Sequence, residues 1–291
     1  MCGIAGAIFT GRYAGKTRME AVLPSMLRSL EHRGPDDRGE SVVYSGDRGK
    51  AGFVHTRLAI LDLSAAGHQP MREPGTGNVI TFNGEIYNFR QVRARLDAAG
   101  SGDWASTSDT EVILKAYGRW EEGALEELRG MFAFAIWDAS REELFLARDR
   151  VGIKPLYYYS GEGCFLFASE VRALLATGLV PRKIDEVGLW EYLGYQAVPA
   201  PRTLIDGVRM LRPGHWMRVD MAGQITEARY WDALENARSE GAGADESRVR
   251  ARVGELLRES VSMHLVSDVP VAAFLSGGID SSAVAVLMRE A

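Results

Sequence analysis

The N-terminal stretch Met1-Cys2-Gly3-Ile4-Ala5-Gly6 decides how the rest of this sequence is interpreted. Cysteine is small enough to permit removal of the initiator methionine, and Cys2 would then carry a thiol and a free α-amine on one residue. Because an α-amine titrates at about pH 7.7–8.0, part of it is unprotonated at neutral pH and accepts the thiol proton, directly or through a water. One residue then supplies both a nucleophile and its base. The alternative is that Cys2 is a small buried apolar residue at the start of a strand.

The composition is that of an ordinary globular protein, and the length suits two domains. The chain has 291 residues, of which 46% are hydrophobic and 25% are charged. Its net charge of -5 offers no basic surface for nucleic acid or an anionic membrane. It has no apolar run long enough to span a bilayer and no signal peptide pattern at the N-terminus. Two cysteines, Cys2 and Cys164, are too few for a disulfide scaffold, so we expect a reducing cytoplasm.

The pattern of apolar residues predicts an α+β protein with two mostly antiparallel sheets and helices outside them. Strands are predicted at residues 3–9, 41–44, 51–61, 131–137, 143–148, 157–159 and 164–168. Helices are predicted at residues 18–30, 90–99, 111–120, 170–176 and 185–192. Cys164 begins the last of these strands and is interpreted as an inert core residue.

Three places in this first part each have a structural and a functional interpretation. Arg57 in the predicted strand 51–61 is either a solvated charge or a guanidinium that clamps a ligand carboxylate. Asn83-Gly84 is a strong hairpin-turn signal, but an Asn83 amide and a Gly84 N–H also suit the binding of an oxyanion. Ser108 or Asp109 precedes the helix 111–120 and would serve only as its N-cap in the structural interpretation.

The sequence changes character from Val198 onward. Prolines 199, 201 and 213 mark a connecting region that contains a predicted hairpin of residues 215–219 and 225–231. The Gly/Ala/Ser-rich stretch 239–244 is interpreted as a mobile linker. Residues 246–265 have the spacing of an amphipathic helix, and residues 269–275 resemble a short strand of the buried, parallel type.

That strand leads into Ser276-Gly277-Gly278-Ile279-Asp280-Ser281-Ser282 and a predicted helix. A strand, a glycine-rich turn and a helix N-terminus direct several backbone N–H groups toward one anion. The glycines let the backbone approach the ligand, the serines add donors, and Asp280 would cap the helix or hold Mg²⁺ beside a pyrophosphate. The alternative is a capped turn without a ligand.

Several motifs stand in a fixed order along the chain: Cys2-Gly3-Ile4, His32-Arg33-Gly34-Pro35-Asp36, Arg57-Leu58-Ala59-Ile60, Asn83-Gly84-Glu85-Ile86-Tyr87-Asn88, Ser108-Asp109-Thr110-Glu111-Val112-Ile113, Gly130-Met131-Phe132-Ala133-Phe134 and the loop 276–282. In this combination they resemble glutamine-hydrolysing asparagine synthetases, a family that joins an N-terminal glutaminase to a synthetase of the ATP-pyrophosphatase type. The resemblance covers the whole chain. Its specificity lies in the combination rather than in any one motif.

The resemblance implies that Cys2 attacks the side-chain amide of glutamine while Asn83 and Gly84 hold the oxyanion. It implies that Arg57 pairs with the α-carboxylate and that Glu85 and Asp109 lie around the α-amine, which agrees with the charges of a zwitterion. The implied glutamine pocket comprises Arg57, Ile60, Leu61, Asn83, Gly84, Glu85 and Asp109. The implied ATP loop, on which aspartate would be adenylated, comprises Leu275, Ser276, Gly277, Gly278, Asp280, Ser281 and Ser282, with Leu275 near the adenine and Asp280 near the metal.

The implied fold is an N-terminal nucleophile αββα sandwich followed by the truncated start of a parallel α/β ATP-pyrophosphatase domain. The expected limits are a glutaminase at 2–210, a connecting hairpin and linker at 211–245, and the start of the synthetase at 246–291. Because about one helix follows the ATP loop, we expect a fragment of a longer protein that cannot complete synthesis alone. Glutamine, aspartate and ATP are the expected substrates, ATP and Mg²⁺ the expected cofactors, and a homodimer the expected assembly, with no nucleic acid or membrane partner.

Two other functions stay open. The same glutaminase would serve a different acceptor in related enzymes that close β-lactam rings or amidate natural products. Glutaminase-linked enzymes that make glucosamine phosphate or phosphoribosylamine share the first half but lack the loop 276–282. A non-catalytic glutamine-sensing module would need a defective nucleophile or oxyanion hole, and retention of Met1 would create one by locking the Cys2 amine in a peptide bond.

Overall fold

The structure is a computed structural model that describes residues 1–11, 13–16, 19–235 and 245–291. Its strands are β1 Gly3–Thr10, β2 Asp37–Gly46, β3 Gly49–Arg57, β4 Met71–Arg72, β5 Val79–Ile86, β6 Gly130–Asp138, β7 Glu143–Arg148, β8 Tyr157–Gly161, β9 Cys164–Ala168, β10 Val208–Met210, β11 His215–Asp220 and β12 Ile225–Arg229. Its α-helices are α1 Tyr13–Lys16, α2 Met19–Leu30, α3 Phe89–Ala98, α4 Asp109–Trp120, α5 Ala124–Glu127, α6 Val171–Ala176, α7 Glu186–Tyr195, α8 Glu246–His264 and α9 Ile279–Glu290.

Two six-stranded antiparallel sheets form the centre of the described part of the chain. The first has the strand order β10-β8-β9-β1-β3-β2 and the second β12-β11-β7-β6-β5-β4. Every strand pairing within them is antiparallel. This confirms the predicted antiparallel sheets. β3 and β5, which carry Arg57 and residues 83–85 of the predicted site, each have a neighbouring strand on both sides.

Alternation along β1 shows how the layers are built, because successive side chains of a strand point to opposite faces. Ile4 and Ile8 pack between the two sheets, against residues such as Trp137 of the second sheet. Ala5, Ala7 and Phe9 point the other way and pack with α2 and α6. The outer face of the second sheet is covered by α3, α4 and α5. The result is a helix–sheet–sheet–helix sandwich, which confirms the predicted α+β fold.

Three predicted boundaries are corrected by the structure. β3 ends at Arg57 instead of continuing to residue 61, so residues 58–61 form a loop. Asn83-Gly84 is not a turn: both residues lie inside β5, opposite Ala133 and Phe132 of β6. A Cβ on Gly84 would lie 2.2 Å from the Met131 carbonyl oxygen, so this glycine permits the close approach of two strands instead of a chain reversal.

The third correction concerns the hairpin that the sequence assigned to a connecting region. β11 pairs with β7 along residues 216–220, and β12 pairs with β11, so the hairpin extends the second sheet. Its physical reason is burial: Met217 and Val219 pack into the core between the sheets, which a free connector could not provide. The predicted linker 239–244 lies outside the described residues.

The C-terminal segment is described as two exposed helices joined by an irregular stretch. α8 and α9 form where helices were predicted, and α8 has no buried residue. The predicted strand 269–275 is wrong for this structure, since these residues form no strand and the side chain of Phe274 is fully exposed. A parallel strand is stable only with a neighbouring strand to satisfy its N–H and C=O groups, and no described strand pairs with it.

Candidate active site

Cys2 lies at the start of β1, where this strand meets β3. Gly3 is opposite Thr56 in this pairing, and a Cβ on Gly3 would lie 2.6 Å from Thr56 Oγ1. The N–H of Leu58 points at Cys2 Sγ over 3.4 Å, and the Leu58 carbonyl oxygen lies 3.6 Å from Sγ. Arg33 Nε donates to the Cys2 carbonyl oxygen over 2.8 Å. These contacts fix the thiol beside the residue that follows β3.

One pocket opens at Cys2, and every glutaminase residue predicted from the sequence lines it. These residues are Cys2, Arg57, Ile60, Leu61, Asn83, Gly84, Glu85 and Asp109. They come from the chain start, the last residue of β3 and the loop after it, the strand β5 and the first residue of α4. The sheet pairings and the packing of α4 on the second sheet therefore bring together residues that are up to 107 positions apart in the sequence, from Cys2 to Asp109.

Arg57 is buried, so its interpretation as a solvated charge is wrong. Its guanidinium donates to the carbonyl oxygens of Ser64 at 3.2 Å, Leu61 at 3.1 Å and Asp62. Three of the five N–H groups of an arginine are thus used to shape the loop 58–64. The guanidinium both builds this wall of the pocket and brings a positive charge to it.

Asn83 presents an unused hydrogen-bond donor. Its side chain is 1% exposed, and Nδ2 has no hydrogen-bond partner among the described residues. Leaving a buried amide unpaired costs about 1–3 kcal/mol, so such a group calls for an explanation. Because Asn83 lines the pocket beside Cys2, a ligand oxygen is the partner that would satisfy it.

The carboxylates of Asp109 and Glu85 line the same pocket. Asp109 is the first residue of α4, and its Oδ2 accepts from the Ile86 N–H over 2.9 Å. Ser108, not Asp109, is the N-cap, which confirms one of the two predicted caps. Burial and, to a smaller extent, the nearby charge of Glu85 together raise the pKa of Asp109 to about 7, against the opposing effect of the Ile86 N–H. Burial also raises the pKa of Glu85, an effect opposed by the positive charges of Lys154 and His264.

These incompletely paired carboxylates suit a cationic ligand. A ligand ammonium between Glu85 and Asp109 would restore the ionised forms that burial disfavours. The thiol itself is shifted in the same direction: burial raises the pKa of Cys2, while the Leu58 N–H and the adjacent ammonium lower it. A base or a cation near the chain end is therefore needed to generate a thiolate at neutral pH.

Sequence reasoning missed the roles of Arg33, Gln69 and Lys154. Arg33 belongs to the motif His32-Arg33-Gly34-Pro35-Asp36, but its contacts are visible only in the fold. Its Nε donates to the Cys2 carbonyl oxygen, and its Nη1 forms an ion pair with Glu170 at 2.8 Å. Gln69 Oε1 accepts from the Phe82 N–H at 2.7 Å, and its Nε2 donates to Thr110 Oγ1 at 3.1 Å, which ties β5 to α4. Lys154 lies in the run Val151-Gly152-Ile153-Lys154-Pro155-Leu156, and a single lysine among these uncharged residues is the signal that could have identified it.

The residues predicted to bind ATP form a separate group at the start of α9, and none of them lines the Cys2 pocket. Leu275, Ser276, Gly277, Gly278, Asp280 and Ser282 are exposed, and Ser281 is half-buried. Gly277 has φ +80°, a left-handed conformation that favours glycine. Ser276 Oγ and Ser281 Oγ lie 2.9 Å apart, and Ser281 Oγ donates to the Gly278 carbonyl oxygen at 3.1 Å. Asp280 lies in the first turn of α9 instead of at its cap.

Asp280 alone does not make a metal site. Within the described ranges, no group of three or more His, Cys, Asp or Glu side chains is arranged to hold a metal ion. Mg²⁺ beside a nucleotide is commonly held by one or two carboxylates together with substrate phosphates. Asp280 fits such a shared site only with those phosphates present. Among the described helices, none is long and apolar enough to cross a membrane.

Comparison with known sequences matches both parts of the chain to protein families. The profile of the glutamine amidotransferase domain matches residues 1–231, and that of asparagine synthase matches residues 252–291. The chain belongs to the glutamine amidotransferase family, and its end carries residues of the asparagine synthase family. These matches confirm the resemblance inferred from the motifs. The class of enzymes to which the chain belongs is the glutamine amidotransferases.

Two curated relatives illustrate the range of names in this group. "Asparagine synthetase [glutamine-hydrolyzing] 3" of Bacillus subtilis (strain 168) is 38% identical over 290 residues, which is 98% of this chain and 44% of the relative. "Amidase chry2" of Gibberella zeae is 34% identical over 296 residues, which is 98% of this chain and 42% of the relative. The chain spans less than half the length of both.

A solved structure supports the fold. Glutamine phosphoribosylpyrophosphate amidotransferase from B. subtilis, complexed with ADP and GMP, superposes with a TM-score of 0.57 at 19% identity. The match covers 99% of this chain and 64% of that one. At this identity the likeness concerns the fold alone, so that amidotransferase shares the helix–sheet–sheet–helix sandwich described above.

Proposed function

We propose that this chain hydrolyses glutamine at Cys2 and supplies the ammonia to an ATP-dependent ligase reaction that makes asparagine. The observation that carries the first half is the pocket at Cys2, where a thiol, a buried unpaired Asn83 amide and the charged groups Arg57, Glu85 and Asp109 converge. The pocket offers a nucleophile, an oxyanion donor and charges of both signs. Those are the requirements for acyl transfer from a zwitterionic amino acid.

Loss of Met1 is part of this proposal. Met1 lines the pocket and is 60% exposed, so its removal frees the Cys2 amine and also opens the space beside Sγ. The amine takes the thiol proton, and Sγ attacks the side-chain carbonyl carbon of glutamine. The C–N bond then breaks, and ammonia leaves with the transferred proton. Water hydrolyses the glutamyl thioester, which releases glutamate and restores the thiol.

Each predicted residue of the pocket has a proposed role in these reaction steps. Asn83 Nδ2 and the Gly84 N–H stabilise the oxyanion, for which the unsatisfied Asn83 donor is the support. Arg57 pairs with the α-carboxylate through its N–H groups that the loop 58–64 does not use. Glu85 and Asp109 bind the α-amine. The backbone of Ile60 and Leu61 completes the wall, with the Leu61 carbonyl already held by Arg57.

The second half of the proposal rests on the asparagine synthase match at residues 252–291 and on the relatives' names. ATP would bind at the loop of Leu275, Ser276, Gly277, Gly278, Asp280, Ser281 and Ser282. The aspartate side-chain carboxylate would take the adenylyl group with release of pyrophosphate, and ammonia would then displace AMP to form the amide. Asp280 would share Mg²⁺ with the ATP phosphates. We propose a glutaminase domain that extends through β12, followed by a synthetase domain. A cytoplasmic location and a homodimer remain predictions.

A different acceptor is the second candidate. The relative named Amidase chry2 is 34% identical over nearly the whole of this chain and bears no asparagine synthetase name. The glutaminase steps would be the same, and only the acyl group that receives ammonia would change. Aspartate-dependent release of pyrophosphate from ATP separates the two candidates.

Glutamate release from glutamine tests the first half. The chain is purified, loss of Met1 is checked by mass, and the Cys2→Ala variant is the matched control. We expect release by the parent and none by the variant, with covalent capture of Cys2 by an electrophilic glutamine analogue. A processed and folded chain that neither releases glutamate nor captures the analogue would contradict the proposal.

A further inference from the structure

Lys154 is a buried cation that no step above uses. Its side chain is 6% exposed and lines the Cys2 pocket. Among the described residues, its ammonium makes no hydrogen bond and no ion pair within 4 Å. Lysine is almost never so fully buried unless it is paired, because removal of the charge from water is costly. The burial of this unpaired ammonium therefore indicates that its charge has a role in the pocket.

The backbone that carries Lys154 is held on both sides. The Lys154 N–H donates to Asp149 Oδ2 over 2.9 Å, and the Ile153 N–H donates to Asp149 Oδ1 over 2.9 Å. Arg148 Nε donates to the Lys154 carbonyl oxygen over 2.7 Å, and its Nη2 donates to the Gly152 carbonyl oxygen over 2.6 Å. Residues 152–154 are thus anchored by two buried side chains of β7 and the turn after it. Such anchoring keeps the origin of the lysine side chain fixed relative to the pocket.

The charges that face Lys154 come from four elements. Glu85 of β5 and the Cys2 thiol act on it as negative groups, Asp149 on its own turn is a further anion, and Arg33 is a neighbouring cation. Burial lowers the pKa of Lys154, whereas Glu85 and then Cys2 raise it. The largest favourable interaction is therefore with Glu85, and the next is with the nucleophile. Electrostatic attraction is mutual, so the same ammonium favours the ionised form of each.

The positive charge of Lys154 also acts on the α-amine of Met1, where it lowers the pKa. Burial lowers the pKa of the terminal amine, the Cys2 thiolate raises it, and Arg33 and Lys154 lower it, while Asp36 opposes them. Loss of Met1 removes this amine and frees the backbone nitrogen of Cys2 as the new α-amine, which lies one residue closer to the thiol. The remaining charges around the thiol are Asp109, which disfavours the thiolate, and Arg57, which favours it.

We propose that Lys154 is a further residue of the glutamine-hydrolysing site, placed so that its ammonium favours loss of a proton from the N-terminal Cys2. It acts through Cys2 instead of touching the substrate, so it is a positioning residue. A positive charge favours the neutral α-amine that accepts the thiol proton, and it favours the thiolate that this transfer leaves. Glu85 is the counter-charge that stabilises the buried ammonium. This inference rests on the proposed glutaminase function.

The test is the pH profile of glutamine hydrolysis in Lys154→Met, with Met1 removal confirmed by mass. Methionine keeps the apolar stem and removes the charge. We expect the acid limb of kcat/KM to move up by about one pH unit, and activity near neutral pH to fall about tenfold. Lys154→Arg should bring the limb back toward that of the parent. Lys183→Met, which removes an exposed charge outside the pocket, should leave it in place.

Alkylation of Cys2 by iodoacetamide gives a second readout that does not need turnover. The modified N-terminal peptide is followed by mass, which separates Cys2 from Cys164. Its rate midpoint should also move to higher pH in Lys154→Met. If that variant does not fold, Lys154→Gln carries the same expectation. A folded, uncharged variant whose limb and alkylation midpoint match the parent overturns the role of Lys154, whereas a parent that fails to hydrolyse glutamine counts against the proposed function instead.

Discussion

Asp268 and Asp62 are joined by a hydrogen bond that links the C-terminal segment to the pocket loop. The Asp62 N–H donates to Asp268 Oδ2 over 2.8 Å, and the Asp268 N–H donates to the Ile60 carbonyl oxygen over 3.0 Å. The same loop is gripped from inside by Arg57. Asp268, which follows α8, therefore makes two hydrogen bonds to the loop that lines the pocket. The segment matched to asparagine synthase thus contacts the proposed glutamine site directly.

Replacement of Asp268 by alanine should weaken glutamine binding more than turnover. The variant loses the bond to Asp62 N–H, and a net hydrogen bond is worth about 1 kcal/mol, so we expect KM to rise about fivefold with kcat nearly unchanged. Steady-state glutaminase kinetics measure this split. Asp47→Ala, an exposed carboxylate in the turn between β2 and β3, is the matched control. A KM equal to that of the control would show that the Asp268 contacts do not shape the pocket.

Glutamine affinity should depend on pH through Asp109. The carboxylate has a raised pKa of about 7 because it is buried and lies near Glu85. A substrate ammonium binds the ionised form, so binding is strong above this pKa and weakens as the pH falls through it. We expect the dissociation constant to be about tenfold larger at pH 6 than at pH 8.

This pH effect is best measured without turnover, by calorimetry on the Cys2→Ala variant. The added change Asp109→Asn removes the titrating group and should flatten the profile between pH 6 and 8, although binding becomes weaker overall. A profile that keeps its slope after this change would assign the titration to another group.

Replacement of Gly84 by alanine should destabilise the fold as well as the site. The added Cβ would lie 2.2 Å from the Met131 carbonyl oxygen and 2.8 Å from Phe132 Cα, so β5 and β6 would have to separate. We expect a loss of at least about 1–3 kcal/mol, seen as a lower melting temperature. At Gly75 a Cβ meets nothing within 4 Å, so Gly75→Ala should melt like the parent. Equal melting temperatures for the two variants would contradict the close strand approach.

Gly67 should matter for the position of Arg57. A Cβ at this position would lie 2.0 Å from Arg57 Nη2. The guanidinium cannot simply turn away, because it is bonded to the carbonyl oxygens of Ser64, Leu61 and Asp62. In Gly67→Ala we expect KM for glutamine to rise about tenfold or more, since a displaced arginine loses a charge-assisted bond to the carboxylate. Unchanged kinetics in a folded variant would argue against Arg57 as the carboxylate partner.

The sequence alone predicted the two antiparallel sheets, most of the helices and the residues that line the Cys2 pocket. Local patterns carried this information: apolar alternation in β1, helical spacing in α2, and an N-cap serine before α4. Motifs identified Cys2, Asn83 and Asp109 as parts of one site, and all three line the same pocket. Local patterns did not decide the backbone context, since Asn83-Gly84 is a strong turn signal and yet lies inside β5.

The tertiary structure decided which charges act on the nucleophile. Arg33, Lys154 and the anchors of Lys154 are distant from Cys2 in sequence, and their proximity follows from the pairing of β1 with β3 and from the turn after β7. Desolvation likewise belongs to the folded state, because a carboxylate such as Asp109 acquires a pKa of about 7 only when the surrounding layers exclude water. The sequence by itself determined the chemical groups and the family, whereas only the fold determined their distances and burial, on which proton affinities depend.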